Sequence, residues 1–549
     1  MSSTHRQGPF IPMAADLARC ALMIRRGAAA RDLDQIMRPT PVGRTRETSA
    51  GAILTLTAFA LQHFQHARYR DVHKILHGMY SESVLSWLGL VARDDSGSSH
   101  PISNHQWRNF WRILYTRTSG EELFRVTNEL LLSWVEGPPL GDTLLFDSTA
   151  HRSSARPLAA DIKKQLIAEQ SPDFLLEEER RTLTSQEKRL LRYARSHRAH
   201  EGAWGHATAT YEQPSGLLGG YHAHPVICAS SNQHAAAAPT LVLATDCTPA
   251  SAFSSPAELL LLLDSINDRY GTEFVIVADR DYSKKLELWS ALRKLGRKFA
   301  FDLNEKQLLP RGEHKGVLLA QGNCLCPATP KHLVNPGPRP MTKIRGRTNP
   351  KYETWLSGIR DQLAYRCHIR AYTPRGLKVS CPALGPSPTV DCPLRGPIPG
   401  DSLRPVVLEP PAPPPPICTQ QTVFVPDQIN DLRQTWPWAR KDWLSIYRPG
   451  RSHNEGVHGE LKNPDGFDLR RKVCGSSRIA VVAVHLALVE ALYNLANLRT
   501  WVHQHPEHPF SRAAATDPLL GPDELAIAWM RGELGRSGQS GDINAARRR

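Results

Sequence analysis

The sequence predicts a multidomain α/β protein in which a mixed sheet follows a helical region and is interrupted by a β-rich insertion. Three observations predict it. Apolar residues recur at helical spacing as far as residue 140. From residue 141, short apolar runs alternate with turns and helical segments. A stretch rich in Pro, Gly and Cys then separates this part from a helical region near the C-terminus.

Composition indicates the class of partner. The chain of 549 residues carries 68 Lys and Arg against 53 Asp and Glu, a formal net charge of +15, which favours a polyanion such as nucleic acid. Ten cysteines without a secretory signal predict reduced thiols in the cytoplasm. The long apolar stretch 479–498 contains His485, Glu490 and Asn494, which favours a buried helix over a membrane span.

Residues 1–140 are predicted to form a helical DNA-binding region, and one helix in it is well marked. Ser103 and Gln106 are spaced as a capping box, directly before an apolar stripe. The stripe consists of Trp107, Phe110, Trp111 and Leu114. Arg108 and Arg112 face away from it, either as DNA-contacting residues of a helix-turn-helix recognition helix or as a solvated helix face.

Residues 141–303 are predicted to form the first part of the α/β domain. Strands are expected at Thr143–Phe146, 221–228, 240–244, 274–278 and 298–302, with helices at 255–270 and 284–295. Asp147 and Asp279 directly follow two of these strands, and the carboxyl ends of strands border the ligand crevice of open α/β sheets. A strand-end Asp also serves as a turn or helix-cap residue. Asp142, Asp246 and Asp281 are the competing carboxylates.

The segment 447–462, YRPGRSHNEGVHGELK, supplies a third carboxylate. On a helix, Arg451 and Lys462 lie about 40° and 20° from Glu455, so that the three share one face. Glu460 falls about 140° away, which favours Glu455. Ser452 and Glu455 also have capping-box spacing, an alternative that leaves Arg451 and Lys462 unexplained. Converging carboxylates are what Mg²⁺ requires for phosphodiester cleavage.

The spacing Arg451-x3-Glu455-x6-Lys462 resembles the signature of DDE-type insertion-sequence transposases, in particular the cut-and-paste group with a Tyr-Arg-Glu-Lys signature. The segments ATDCTPAS and VADRDY are also similar to that family. The family places Tyr three residues before the Arg, whereas Tyr447 is four before Arg451.

The resemblance implies an RNase H-like catalytic domain whose triad is Asp147, Asp279 and Glu455, with the last on a helix. It implies Mg²⁺ as the cofactor, with Mn²⁺ as a substitute, and double-stranded DNA, both transposon ends and target, as the partner. Tyr447, Arg451 and Lys462 would contact DNA. A homodimer that holds two ends together in a synaptic complex is implied as well.

The long segment between Asp279 and Glu455 predicts an inserted domain at 304–437, which in the resembling family contacts transposon-end DNA. It includes an extended polyproline linker at 410–416. Its cysteines are irregularly spaced, which argues against a structural zinc site and for free thiols. They are Cys324, Cys326, Cys367, Cys381, Cys392 and Cys418.

Residues 438–505 are predicted to hold the Glu-bearing helical part of the catalytic domain, and 506–549 a partly disordered tail. Trp438, among alternating tryptophans and cations, either stacks on a flipped DNA base or belongs to the core.

The expected function is metal-dependent cleavage at transposon ends and strand transfer into a target, in the cytoplasm on nucleoid DNA and away from membranes. Two alternatives remain open: an RNase H-like nuclease or resolvase without strand transfer, and an inactive DNA-binding relative.

Overall fold

The computed structural model describes most of the chain. The described residues are 11–37, 48–64, 67–94, 96–153, 201–206, 217–231, 238–250, 256–271, 273–341, 343–344, 347–373, 375–397, 403–463, 466–469 and 478–532. The predicted C-terminal tail therefore lies outside them from residue 533 onward.

The N-terminal region is helical, as predicted. Its helices are α1 (Ile11–Arg26), α2 (Ala29–Ile36), α3 (Ala50–His63), α4 (Tyr69–Lys74), α5 (Glu82–Trp87), α6 (Asn104–Arg117) and α7 (Gly120–Leu132). The capping box of Ser103 and Gln106 begins α6, whose Trp107 side is buried. A hairpin of β1 (Val91–Arg93) and β2 (Ser99–Pro101) separates α5 from α6. Consequently α6 does not follow another helix after a short turn. The prediction that α6 is the second helix of a helix-turn-helix is therefore wrong.

The main sheet is mixed and five-stranded. Its strands are β3 (Thr143–Phe146), β7 (Val226–Ala229), β8 (Leu241–Ala244), β10 (Val275–Ala278) and β11 (Phe299–Phe301). Their order is β11-β10-β3-β7-β8, with β10 and β11 parallel to β3 and with β7 antiparallel to both of its neighbours. The central strand β3 is buried along its whole length.

A second sheet continues from the first. It contains β4 (Thr149–Arg152), β5 (Ala203–His206), β6 (Leu217–Ala223) and β9 (Cys247–Pro249). The single strand predicted at 221–228 is therefore two strands. The chain leaves one sheet at His224 and enters the other at Val226, and Pro225 between them has no N–H to donate to a ladder.

The helices of the α/β part differ from prediction in one place. Helix α8 spans Pro256–Tyr270, close to the predicted 255–270. The helix predicted at 284–295 is α10 (Leu286–Lys294), and a short helix that was not predicted, α9 (Arg280–Ser283), precedes it. The break occurs because Lys285 has φ −94° and ψ 75°, outside the helical region.

The insertion is β-rich, as predicted, but also contains helices. Its strands are β12 (Pro310–His314), β13 (Val317–Ala320), β14 (Asn323–Leu325), β15 (Lys343–Ile344), β16 (Arg347–Thr348), β17 (His368–Thr373), β18 (Gly376–Ser380) and β19 (Val423–Pro426). Its helices are α11 (Lys331–Val334), α12 (Pro350–Gln362) and α13 (Pro416–Thr419). Arg339 joins the insertion to the main sheet through two bonds to Asp302, the residue after β11, of 2.8 and 3.0 Å, and through contact with the Trp438 ring.

The proline-rich stretch, predicted as an extended linker, packs on the insertion at its C-terminal end. Pro415 packs on Gly316 so closely that a Cβ at Gly316 would lie 2.5 Å from it. The Ile417 N–H donates to the carbonyl of Lys315 at 3.2 Å. The stretch is thus part of the folded insertion, held against the turn between β12 and β13.

Two long helices complete the fold: α14 (Lys441–Lys462) and α15 (Ile479–Gln504), followed by α16 (Pro509–Ala514) and α17 (Asp523–Met530). Helix α15 packs on α3, α7 and β8, and one apolar core runs from the N-terminal helices through the main sheet. Among the described helices α15 is long and apolar enough to cross a membrane, but its most apolar window is 83% buried inside the protein. That is the packing of a core helix.

Both edges of the main sheet are closed by side chains. At β8, the Asn494 carboxamide accepts a bond from the Val242 N–H and donates to the Val242 carbonyl, each at 2.8 Å. Asn128 makes the same pair of bonds to Thr245. At the opposite edge, the Phe299 N–H donates to Thr435 and the Phe301 N–H to Gln434. These residues satisfy backbone groups that an open sheet would leave unpaired.

Asn494→Leu tests the closure at β8. The leucine has similar size but cannot bond to Val242, and each buried backbone group left unpaired costs about 1 to 3 kcal/mol. We expect a lower melting temperature and faster amide exchange in β8. Thr500→Ala, on the exposed part of the same helix, is the control. Unchanged amide protection at Val242 would show that Asn494 does not hold this edge.

Candidate active site

Asp147 and Asp279 lie side by side at the carboxyl end of the main sheet. The register of β3 and β10 pairs Phe146 with Ala278, and each aspartate is the next residue. Neighbouring strands lie about 4.8 Å apart, so both carboxylates emerge from the same position along the sheet. The sequence prediction that these strand ends meet is confirmed.

Helix α14 reaches the two strands at Gly450. A Cβ there would lie 2.8 Å from Leu145 Cδ2 and 3.2 Å from Val277 Cγ1, so that only glycine permits this approach. Leu145 and Val277 are a register pair two residues before the aspartates, and residues at i and i+2 of a strand share a face. The contact therefore places the next residue of the helix, Arg451, over the carboxylates.

Arg451 contacts all three predicted catalytic carboxylates. Its Nη1 lies 3.0 Å from Asp147 Oδ2 and 4.0 Å from Asp279 Oδ2, while its Nε lies 3.1 Å from Glu455 Oε1. Since both aspartates contact one nitrogen, they are close enough to share ions that lie about 4 Å apart. The three residues that the sequence grouped from distant segments are thus brought together.

Helix α14 begins at Lys441, so Glu455 lies in its interior. The capping-box alternative for Ser452 and Glu455 is therefore wrong. Glu455 is 67% exposed, whereas the Asp147 side chain is 10% exposed. Glu460 points elsewhere, close to Tyr493 of α15, which agrees with its predicted place on another face.

The aspartates are held under electrostatic strain. Burial raises the pKa of Asp147, and the charges of Arg451 and Lys462 oppose this only in part. Burial and the neighbouring charge of Asp147 raise the pKa of Asp279 to about 6. A buried and a half-buried carboxylate share one guanidinium, so a further cation would stabilise their ionised form.

Asp279 combines two roles that the sequence left as alternatives. Its Oδ1 accepts a bond from the Asp281 N–H at 2.9 Å and so caps α9, while its Oδ2 faces Arg451. Helix capping thus fixes the carboxylate's orientation without using the oxygen that faces the site.

His458 belongs to the site but was missed by the sequence reasoning. Its Nε2 lies 3.8 Å from Asp147 Oδ2, and burial lowers the pKa of the imidazole to about 3, so it is neutral at physiological pH. It was recognisable in principle, because positions 451, 455, 458 and 462 recur at helical spacing. Tyr447, one turn before Arg451, is half-buried and stacks on Trp443 with ring centroids 4.3 Å apart.

A buried polar chain fixes the backbone at Asp147. The Tyr282 hydroxyl donates to the Asp147 carbonyl at 3.1 Å, and His224 Nδ1 lies 3.1 Å from that hydroxyl. Tyr282 has only one proton to donate, so Nδ1 is the donor to it, and His224 Nε2 accepts from Thr248 at 3.1 Å. These residues join α9 and the second sheet to the end of β3, and no local sequence signal revealed them.

The competing aspartates have structural partners. Asp142, at the other end of β3, accepts bonds from the Ser231 N–H at 2.7 Å and the Ser231 hydroxyl at 2.5 Å. Asp246 accepts from the Cys247 N–H at 2.8 Å in the turn between β8 and β9. Asp281 pairs with Lys284 at 2.5 Å.

The remaining predicted site residues are elsewhere. Trp438 is 3% exposed and donates to Asp302 at 2.9 Å, which is the core interpretation rather than the base-stacking one. Arg108 and Arg112 are exposed on α6, a helix that packs on α15 and α3.

The six insertion cysteines are free and buried. Burial raises the pKa of Cys324 to about 11 and that of Cys326 to about 12, so these thiols are neutral.

Within the described residues, no three His, Cys, Asp or Glu side chains are grouped so as to hold a metal ion. At the triad, the Arg451 side chain lies between Glu455 and the two aspartates and so keeps the three carboxylates apart. The donors themselves are carboxylate oxygens, the type that Mg²⁺ prefers, so their chemistry fits this ion once the guanidinium moves.

The chain matches no protein-family model and no curated protein sequence.

Gly450→Ala tests the contact that places Arg451. The added methyl overlaps Leu145, and overpacking of this kind costs about 1 to 3 kcal/mol. We expect a lower melting temperature. The control is Gly459→Ala on the same helix, where a Cβ meets nothing within 4 Å and should leave the protein equally or more stable. Equal melting of the two variants would contradict a close approach at Gly450.

Asp279→Asn tests the electrostatic strain. Because the pKa of Asp279 is raised from 3.8 to about 6, the folded protein holds this proton more tightly than the unfolded chain does. Stability is therefore lost as pH rises through that window, and a neutral amide removes the loss. We expect the metal-free variant to melt above the wild type at pH 8 and level with it at pH 4. A lower melting temperature at pH 8 would mean that the charged carboxylate stabilises the fold.

Proposed function

We propose that this protein is a DDE-type DNA transposase that cleaves DNA strands at transposon ends and joins the released 3′-hydroxyl to a target. One observation carries the proposal: Asp147, Asp279 and Glu455 contact the same guanidinium, that of Arg451, at the carboxyl edge of a mixed sheet. If the likeness of residues 451–462 to the transposase signature were a coincidence, Asp147 and Asp279 would have no reason to lie beside Glu455.

The order of elements supports an RNase H-like catalytic domain as part of the proposal. Apart from the strands of the second sheet, the chain runs from β3, which ends before Asp147, through β7, β8 and helix α8 to β10, which ends before Asp279, and then through α9, α10, β11 and the insertion to the Glu455 helix. This is the order that the resemblance to insertion-sequence transposases implies. The strand bearing Asp147 is central and directly neighbours the one bearing Asp279.

The three carboxylates would hold two Mg²⁺ ions, with Mn²⁺ as a substitute, which would supply activation of the attacking oxygen and charge stabilisation of the leaving oxygen. The protein's contribution is position. Tyr282 holds the Asp147 backbone, the Ser148 N–H orients the Asp147 carboxylate, and the helix cap orients that of Asp279, so two donors are positioned before any ligand enters. The more exposed Glu455 is the donor with freedom to adjust.

Arg451 has two successive roles in this proposal. In the free protein it compensates the charge of the aspartates in part. When DNA enters, its guanidinium turns from Asp147 to a phosphate, for which its planar pair of N–H groups is suited. Lys462 and Tyr447, on the same helix, would contact flanking phosphates, as the resemblance implies. His458 remains neutral beside Asp147 and adds no competing charge.

The net charge of +15 supports a DNA partner. As the resemblance implies, the proposal includes a homodimer that holds two transposon ends and works in the cytoplasm on nucleoid DNA.

The test uses the purified full chain with Mg²⁺ and labelled DNA from both flanks of its own coding sequence, where the ends of an insertion sequence lie. We expect strand cleavage and joining of the labelled end to a plasmid. Asp147→Ala, Asp279→Ala and Glu455→Gln should each reduce both reactions to background. Asp281→Ala and Glu460→Ala, which alter neighbouring carboxylates outside the Arg451 contact, should keep them.

Each alternative gives a different result. Cleavage without joining would indicate a nuclease or resolvase. Mg²⁺-independent DNA binding without cleavage would indicate an inactive relative. Activity that survives the triad substitutions would end the assignment of these three residues.

A further inference from the structure

A second cleft lies in the N-terminal region. It has a volume of about 720 Å³, within the range of ligand sites, and is formed by α4, α6 and α15. Three arginines line it: Arg68, Arg70 and Arg108, all exposed. The described residues that line it include no Asp or Glu. The rim of the cleft is therefore strongly cationic.

The interior of the cleft is aromatic. Trp111 lines it and is half-buried, while Trp107 beside it is 4% exposed. The Trp111 ring lies edge-to-face with His485, at 5.0 Å between centroids, and with Trp107, at 6.0 Å. These contacts hold Trp111 in place, so that a planar ligand would meet a fixed ring.

His485 is the residue that supports Trp111 from α15. It is 6% exposed and lines the cleft from α15, and neither ring nitrogen has a hydrogen-bond partner among the described residues. A buried imidazole without partners is costly in a core helix whose other polar residues are bonded, as Asn494 is. Both nitrogens are themselves inaccessible, so a ligand in the cleft meets Trp111, which His485 supports.

We propose that this cleft is a second nucleic-acid site, which binds a single-stranded stretch of DNA with its phosphates on Arg68, Arg70 and Arg108 and a base against Trp111. Guanidinium groups pair with phosphate in bidentate fashion, and aromatic rings stack on bases of any sequence. A duplex cannot offer an unstacked base to an interior ring, whereas a single strand can. A membrane surface is disfavoured because the apolar residues line the interior of the cleft and its rim is charged.

The inference rests on the proposed function only in naming DNA as the ligand. It adds a reason for the difference between Arg108 and Arg112, which are both exposed and lie one turn apart on α6. Arg108 lines the cleft, whereas Arg112 contacts Asn109 at 2.7 Å and does not line it. If α6 bound DNA only through a basic face, both arginines would contribute equally to binding.

The experiment measures fluorescence anisotropy of labelled dT12 with the full chain in EDTA, so that no cleavage intervenes. We expect Arg108→Ala and Arg70→Ala to weaken binding and each to reduce the slope of log K against log salt by about 0.7. Arg112→Ala should bind as the wild type does. Trp111→Leu should weaken binding of dT12 about tenfold but leave an abasic strand of equal length unaffected, and Trp111→Phe should restore most of the loss.

Thermal melting of each variant confirms that it is folded. Equal losses in Arg108→Ala and Arg112→Ala would overturn the proposal in favour of a plain basic face. Equal affinity for dT12 and the abasic strand would indicate an anion site without base recognition and would also overturn the proposal. Displacement of dT12 by anionic phospholipid vesicles, but not by unlabelled strand, would overturn it as well. Because the assay needs neither metal nor cleavage, its failure is distinct from failure of the triad variants.

Discussion

The close approach of helix α14 to the central strands is the constraint on which the candidate site depends. At Gly450 there is no side chain, and the helix rests directly on Leu145 and Val277. The side chain of the next residue, Arg451, therefore lies over the strand ends. The register of β3 and β10 places Asp147 level with Asp279 at those ends. Pro449, buried in the interior of the same helix, lies at this crossing as well. An unusual dipeptide for a helix thus coincides with the point where the helix must come closest.

Electrostatics at the site follow from that geometry. The buried Asp147 and the half-buried Asp279 lie side by side and repel each other, and a single guanidinium, 38% exposed to solvent, compensates them incompletely. Such a cluster lowers the stability of the fold and attracts cations. This combination is common at functional sites. The rigid supports on each aspartate explain how the protein tolerates it, because neither carboxylate is free to turn away.

Much of this arrangement was predictable from sequence, for a physical reason. Strand burial and helical periodicity are local, so the strands before Asp147 and Asp279 and the shared face of Arg451, Glu455 and Lys462 followed from neighbouring residues alone. The chain's division between two sheets at Pro225, the burial of Trp438 on Asp302, and the chain from Thr248 to Asp147 were not predictable. They depend on partners far apart in sequence. The β1–β2 hairpin was missed because its strands are three residues long. Transposase activity, the metal and DNA stay predictions.

The closed edges of the main sheet restrict how two copies of this chain can associate. A sheet with a free edge can gain a strand from another molecule, which is a common route to dimers and to aggregates. Here Asn494 and Asn128 engage the backbone of β8 on one side, and residues 434–435 engage β11 on the other. Pairing through this sheet would first require these bonds to break. The main sheet is therefore not available for pairing between two copies while these bonds are in place.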